Sequence, residues 1–77
     1  MPHITLKMMP GRSEEQKQAV ADALVKAAME ALGCREGALS VSVEDVPSGE
    51  WAEKVYAPEI RDRPQTLYKK PDYDPFA

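Results

Sequence analysis

Cysteine and histidine are nearly absent from this 77-residue chain: Cys34 is the only cysteine and His3 the only histidine. A disulfide within the chain is therefore impossible, and one Cys with one His cannot make a structural zinc site, which takes four ligands. No metal site and no cofactor are expected. No apolar run approaches the roughly 20 residues of a membrane span. The opening MPHITLK has no apolar core of a signal peptide. The expectation is a cytoplasmic protein with no membrane partner. Basic residues are outnumbered, 10 Lys and Arg against 13 Asp and Glu, for a net charge of −3. That argues against a nucleic-acid partner, whose electrostatic footprint is a basic patch. The length leaves room for one domain, residues 1–77, and a chain this short buries only about 60% of the surface its unfolded form exposes. Small domains lean on disulfides, metals or partner subunits. With the first two excluded, a homo-oligomer is expected.

What remains is the composition of a folded domain, 43% hydrophobic and 30% charged. Residues 2–9, PHITLKMM, alternate. Ile4, Leu6 and Met8 share one face with Pro2; His3, Thr5 and Lys7 share the other. Period two predicts a strand, and proline is tolerated at its first position. Pro10-Gly11 ends it. Ser13-Glu14-Glu15-Gln16 then fits a capping box, in which the serine hydroxyl takes the N3 amide and the glutamine reaches back. Residues 13–32 are rich in helix formers. Val20, Leu24, Ala27, Ala28, Ala31 and Leu32 recur at helical spacing, predicting one apolar stripe. Gly33 is the natural stop. Residues 34–38 read as a loop. Leu39, Val41 and Val43 alternate with Ser40, Ser42 and Glu44, predicting a second strand over about 39–46. Strand, long helix, strand is a βαβ unit with parallel strands.

The remainder is less regular. Pro47-Ser48-Gly49 reads as a turn. Residues 50–56 predict a short helix that brings Trp51 and Val55 together at i, i+4. Pro58 suits a helix start, so 58–63 reads as a second short helix, limited by Pro64. The tail from Leu67 to Ala77 carries Tyr68, Tyr73 and Phe76. It is too polar for a core and too aromatic for an idle linker. It reads as an extended arm packed on its own fold or on a partner.

Met1-Pro2 has chemical consequences. A small residue after the initiator methionine favours removal of Met1, which would leave Pro2 as a terminal secondary amine. A free α-amino group titrates at roughly 7.7–8.0, well below a lysine ammonium. Burial and nearby positive charge lower it further by disfavouring the protonated form. A base poised near neutral pH suits proton transfer.

Pro2, the GRSEEQK segment opening the helix, a second strand and an aromatic about five residues beyond it together resemble the 4-oxalocrotonate (2-hydroxymuconate) tautomerases. The register holds without gaps from Pro2 through Trp51. The segments WAEKVYAPEI and TLYKKPDYD are similar to the phenylpyruvate-tautomerase-like PptA group within that family. The resemblance implies an α/β (α+β) subunit, a single small βαβ domain whose sheet is completed in a dimer rather than a hexamer. It implies a cofactor-independent keto–enol tautomerase acting on a small enol or 2-keto acid. Pro2 matches the catalytic proline. Arg12 matches an arginine that binds a carboxylate, a task suited to the guanidinium fork. Trp51 matches an active-site aromatic that keeps the site apolar. The family's second arginine falls on Ser40, which cannot supply that charge. The substrate expected is therefore a monoacid such as phenylenolpyruvate, with Ser40 at the substrate-binding position and Lys54, Arg61 or Arg63 as possible substitute cations. Two other readings stay open. One is a non-catalytic acidic homodimer that docks through its aromatic tail. The other keeps the scaffold and changes the chemistry: Pro2 as an amine nucleophile, or a hydratase relative that activates water with Glu44 or Asp45.

Overall fold

The computed structural model describes residues 1–77. Its backbone contacts divide into two units, Met1–Asp45 and Val46–Ala77.

The first unit is the βαβ element. Strand β1 is His3–Met8 and strand β2 is Ser40–Asp45, paired in parallel from His3 opposite Ser40 to Met8 opposite Asp45. Helix α1, Glu14–Leu32, connects them. The capping box forms in both directions: the Gln16 amide donates to Ser13 Oγ at 3.1 Å, and the Ser13 amide donates to Gln16 Oε1 at 2.9 Å. Such a cap is worth about 1 kcal/mol. The helix stops at Gly33, whose φ of 69° is left-handed, and its amide bonds back to the Met29 carbonyl. Gly11 has φ 128°, a value that excludes most L side chains, so the turn from β1 into α1 rests on glycine.

The helix packs on the apolar face of β2, where Val41 and Val43 line a groove with Glu14, Lys17, Gln18 and Ala21. The half-buried helix positions are Lys17, Val20, Ala21, Leu24, Val25, Ala28 and Met29. This corrects the sequence-derived stripe at one edge. Ala27 and Ala31 face solvent, and Leu32 is 65% exposed. Spacings of three and four rotate the contact face onto Ala21, Val25 and Met29 instead. Lys17 bridges the elements, with Nζ 2.8 Å from Asp45 Oδ2 at the end of β2. The hydrogen bond to Asp45 holds the ammonium above the ordinary lysine pKa; partial desolvation opposes the rise, and the charges of Asp45 and Glu14 add to it. No residue of this unit is fully buried.

In the first unit, residues 34–38, read as a loop, contain a 3₁₀ turn, Glu36–Ala38. The second unit differs further from the sequence expectation, with a 3₁₀ turn at Ser48–Glu50. After it, the two short helices expected either side of Ala57 are one continuous π-helix, Ala52–Arg61, with Trp51 as its N-cap. The Asp62 amide closes it on the Ala57 carbonyl at 3.0 Å, an i→i+5 bond. Pro58 sits inside this helix. In α-winding its ring would collide with the carbonyl four residues back. Wider i→i+5 winding is how the chain passes through the proline without breaking. Val55, 6% exposed, is the one fully buried residue. A further 3₁₀ turn, Pro64–Thr66, leads into the tail.

Candidate active site

The start of β1 is fixed by its neighbour strand. The Ser40 amide donates to the Pro2 carbonyl at 3.3 Å, so Pro2 is tied by its oxygen while its nitrogen points toward the chain end. Pro2 is half-buried, whereas Met1 is fully exposed, at 110% of its reference area.

Ser40, the other predicted residue of this unit's sheet, is thus next to Pro2. Its hydroxyl is already engaged: Oγ lies 2.7 Å from His3 Nδ1. The contact belongs to a ladder across the helix-free face. His3 Nε2 meets Thr5 Oγ1 at 3.2 Å, Ser42 Oγ donates to Thr5 Oγ1 at 3.2 Å, and Lys7 Nζ lies 3.9 Å from Glu44. In the register His3–Ser40, Thr5–Ser42 and Lys7–Glu44 each stand side by side, and cross-strand polar pairs of this kind stabilise a sheet modestly. The alternation thus separates two roles: Ile4, Leu6, Val41 and Val43 face the helix, and His3 with Ser40 forms the polar face.

Arg12 follows the Gly11 turn and directly precedes the Ser13 cap. It is exposed and makes no hydrogen bond or ion pair within the chain, leaving its five donors free for an anion. Of the three substitute cations, Lys54 is paired with Glu50 and Arg61 with Asp62 at 2.9 Å. Arg63 is exposed and carries no such partner.

Trp51 lies in the second unit. Its indole Nε1 donates to the Tyr73 hydroxyl at 2.9 Å. Tyr73 in turn tilts against Tyr56 with centroids 5.6 Å apart, and Phe76 meets Tyr56 edge-on at 6.0 Å. Arg61 caps the cluster, its guanidinium carbon 5.0 Å from the centre of the Phe76 ring. The tail therefore meets its own chain through Tyr73 and Phe76, which stay 46% and 51% exposed, while Tyr68 is 101% exposed. Sequence reasoning missed this cluster because it tested Trp51 against Val55 at i, i+4. The spacing that matters is five: Trp51, Tyr56, Arg61.

A family model described as tautomerase enzyme matches residues 2–56, beginning at the proline that opens β1. The chain belongs to the tautomerase family. A probable tautomerase of Xylella fastidiosa (strain 9a5c) is 44% identical to it over 77 residues, 100% of this chain and 94% of the relative. The tautomerase PptA of Cronobacter sakazakii (strain ATCC BAA-894) is 36% identical over 75 residues, covering 96% of this chain and 99% of the relative. Among solved structures, one of the 4-oxalocrotonate tautomerase isozymes from Methylibium petroleiphilum is 38% identical with a TM-score of 0.62, over 65% of this chain and 81% of that one. This tautomerase therefore carries the expected βαβ fold and is an isomerase. Its aromatic tail, Tyr73 and Phe76, lies outside the residues that the family model matches.

Proposed function

We propose that the protein is a cofactor-independent keto–enol tautomerase of a small 2-keto monoacid, with Pro2 as the proton carrier once Met1 is removed. The observation that carries this reading is the position of Pro2: it opens β1 at the residue where the family match begins, held by Ser40 and bearing a fully exposed Met1.

The chemistry balances without an oxidant or reductant. The neutral Pro2 amine takes the proton of the substrate's 2-hydroxyl group. The O–H electron pair becomes the carbonyl, and the enol double bond delivers its electrons to C3, which receives a proton from the ammonium. Pro2 is base in the first half and acid in the second. Arg12, unpaired and at the helix start, binds the substrate carboxylate. The family resemblance gives Trp51 the part of an apolar wall, and apolar surroundings favour a neutral amine. Ser40 supplies a hydroxyl tied to His3 in place of a second cation. One guanidinium grip suits one carboxylate, which favours a monoacid such as phenylenolpyruvate over a dicarboxylate. A homodimer working in the cytoplasm completes the reading.

The test has two arms. Intact-protein mass should show loss of one methionine residue. Pro2→Ala should lower the rate of phenylenolpyruvate ketonisation, followed by ultraviolet absorbance, by about 10²- to 10⁴-fold. Retention of Met1 in active protein, or undiminished rates in the variant, would overturn the assignment. Either result would favour another base, whereas absence of ketonisation in the unaltered protein would favour the docking-module reading.

A further inference from the structure

We propose that the C-terminal tail is a clamp that positions Trp51, with Tyr73 as the residue that sets the orientation of its ring. The inference rests on the reading of Trp51 as a wall of the substrate site.

The argument begins with the winding of the helix. In an α-helix, residues five apart are rotated well off one another, since 3.6 residues complete a turn. Trp51, Tyr56 and Arg61 would then point in three directions. The wider winding of the π-helix Ala52–Arg61 turns residues five apart much closer to one side than α-winding would. The contacts follow that period. Tyr73 touches both Trp51 and Tyr56, and Phe76 touches both Tyr56 and Arg61. The tail thus runs along the π-helix in the same direction as its residue numbers, and each tail ring bridges two successive turns.

The tail is itself shaped for this. Pro71 and Pro75 restrict its backbone. The Phe76 amide donates to Asp74 Oδ1 at 2.8 Å, and the Ala77 amide to the Asp74 carbonyl at 3.2 Å. Such an Asx turn fixes where the Phe76 ring emerges. Aromatic pairs at these separations attract beyond simple burial.

The contact at Trp51 is the specific one. A flip about χ2 would carry the indole N–H to the opposite edge of the ring. A single donor on its edge tells the two orientations apart, because indole has no other polar atom. Tyr73 Oη, 2.9 Å from Nε1, selects one orientation. The sequence matched by the family model ends at Tyr56, so the clamp is added outside that region. Tyr73 acts through Trp51 and is a positioning residue.

The test exploits Trp51 as the only tryptophan of the chain. Tyr73→Phe removes the acceptor and keeps the ring. Its indole emission should change and acrylamide quenching should rise, while far-ultraviolet circular dichroism stays unchanged. Its kcat/KM for phenylenolpyruvate should fall about 3- to 10-fold. In the Trp51→Phe background, which has no N–H to orient, the same Tyr73→Phe change should cost less than 2-fold; non-additivity of this kind isolates the pair. Unchanged emission in Tyr73→Phe would show that the clamp does not form in solution. Changed emission with unchanged kcat/KM, or an equal loss in both backgrounds, would also overturn the proposal. Trp51→Ala separates this failure from that of the underlying reading. If it leaves kcat/KM intact, Trp51 is no part of the site and the inference falls with that assignment. If it lowers kcat/KM while Tyr73→Phe does not, Trp51 stays in the site and the clamp alone fails.

Discussion

Single residues divide the chemistry between what is free and what is engaged. Arg12 is exposed and unpaired, so its guanidinium reaches an anion without first breaking a contact. Ser40 Oγ already holds His3 Nδ1, and Arg61 is shared between Asp62 and the face of Phe76. A carboxylate that met Arg61 would have to displace both. Arg12 is therefore the expected grip, and Arg12→Ala should raise KM for a 2-keto monoacid about 10- to 100-fold, the loss of one charge-assisted contact, with a smaller effect on kcat. Arg12→Lys should recover only part, since an ammonium cannot pair with both oxygens. Initial-rate measurements on the three proteins check this, and an unchanged KM in Arg12→Ala would remove Arg12 from the site.

Elements show where local rules suffice. Helix α1 begins and ends where its caps dictate: Ser13 with Gln16 at one end and left-handed Gly33 at the other. Ser13→Ala removes one of two reciprocal bonds and should cost about 1 kcal/mol. In a domain of this size that lowers Tm by about 4–8 °C, measurable by thermal circular dichroism. Because Ser13 follows Arg12, the same variant also loosens the turn on which Arg12 sits. The π-helix shows the opposite case. Pro58 reads as a boundary under rules written for α-winding, yet the chain continues through it by adopting a wider turn. That change brings Trp51, Tyr56 and Arg61, which α-winding would send in three directions, toward one side.

On the scale of the whole molecule, the shortage of core noted in the sequence has a structural counterpart. Val55 alone is fully buried, and the helix and sheet of Met1–Asp45 bury no apolar side chain completely. Half-burial of Val20, Leu24, Val41 and Val43 leaves apolar area for a second copy to cover, at roughly 25 cal/mol for each Å² removed from water. A homodimer whose folding is linked to association should show a Tm that rises with protein concentration. Scanning calorimetry over a hundredfold range of concentration, with sedimentation equilibrium alongside, checks it. A monomer with a concentration-independent Tm would be inconsistent with the dimer.

The sequence by itself determined the βαβ element. Period-two alternation in residues 2–9 and 39–46, the capping box at Ser13 and the glycine stop at Gly33 are local signals, each decided by backbone and nearest-neighbour chemistry. Its resemblance to the tautomerases, in register from Pro2 through Trp51, singled out Pro2, Arg12, Ser40 and Trp51. Tertiary structure alone decided what those side chains touch. That the Ser40 amide meets the Pro2 carbonyl while its hydroxyl holds His3 follows from the register between strands 37 residues apart in the chain. That Trp51 answers to Tyr73 follows from the π-winding and from a tail that returns along it. Neither is written in a local period, because both depend on segments distant in sequence coming to share one surface.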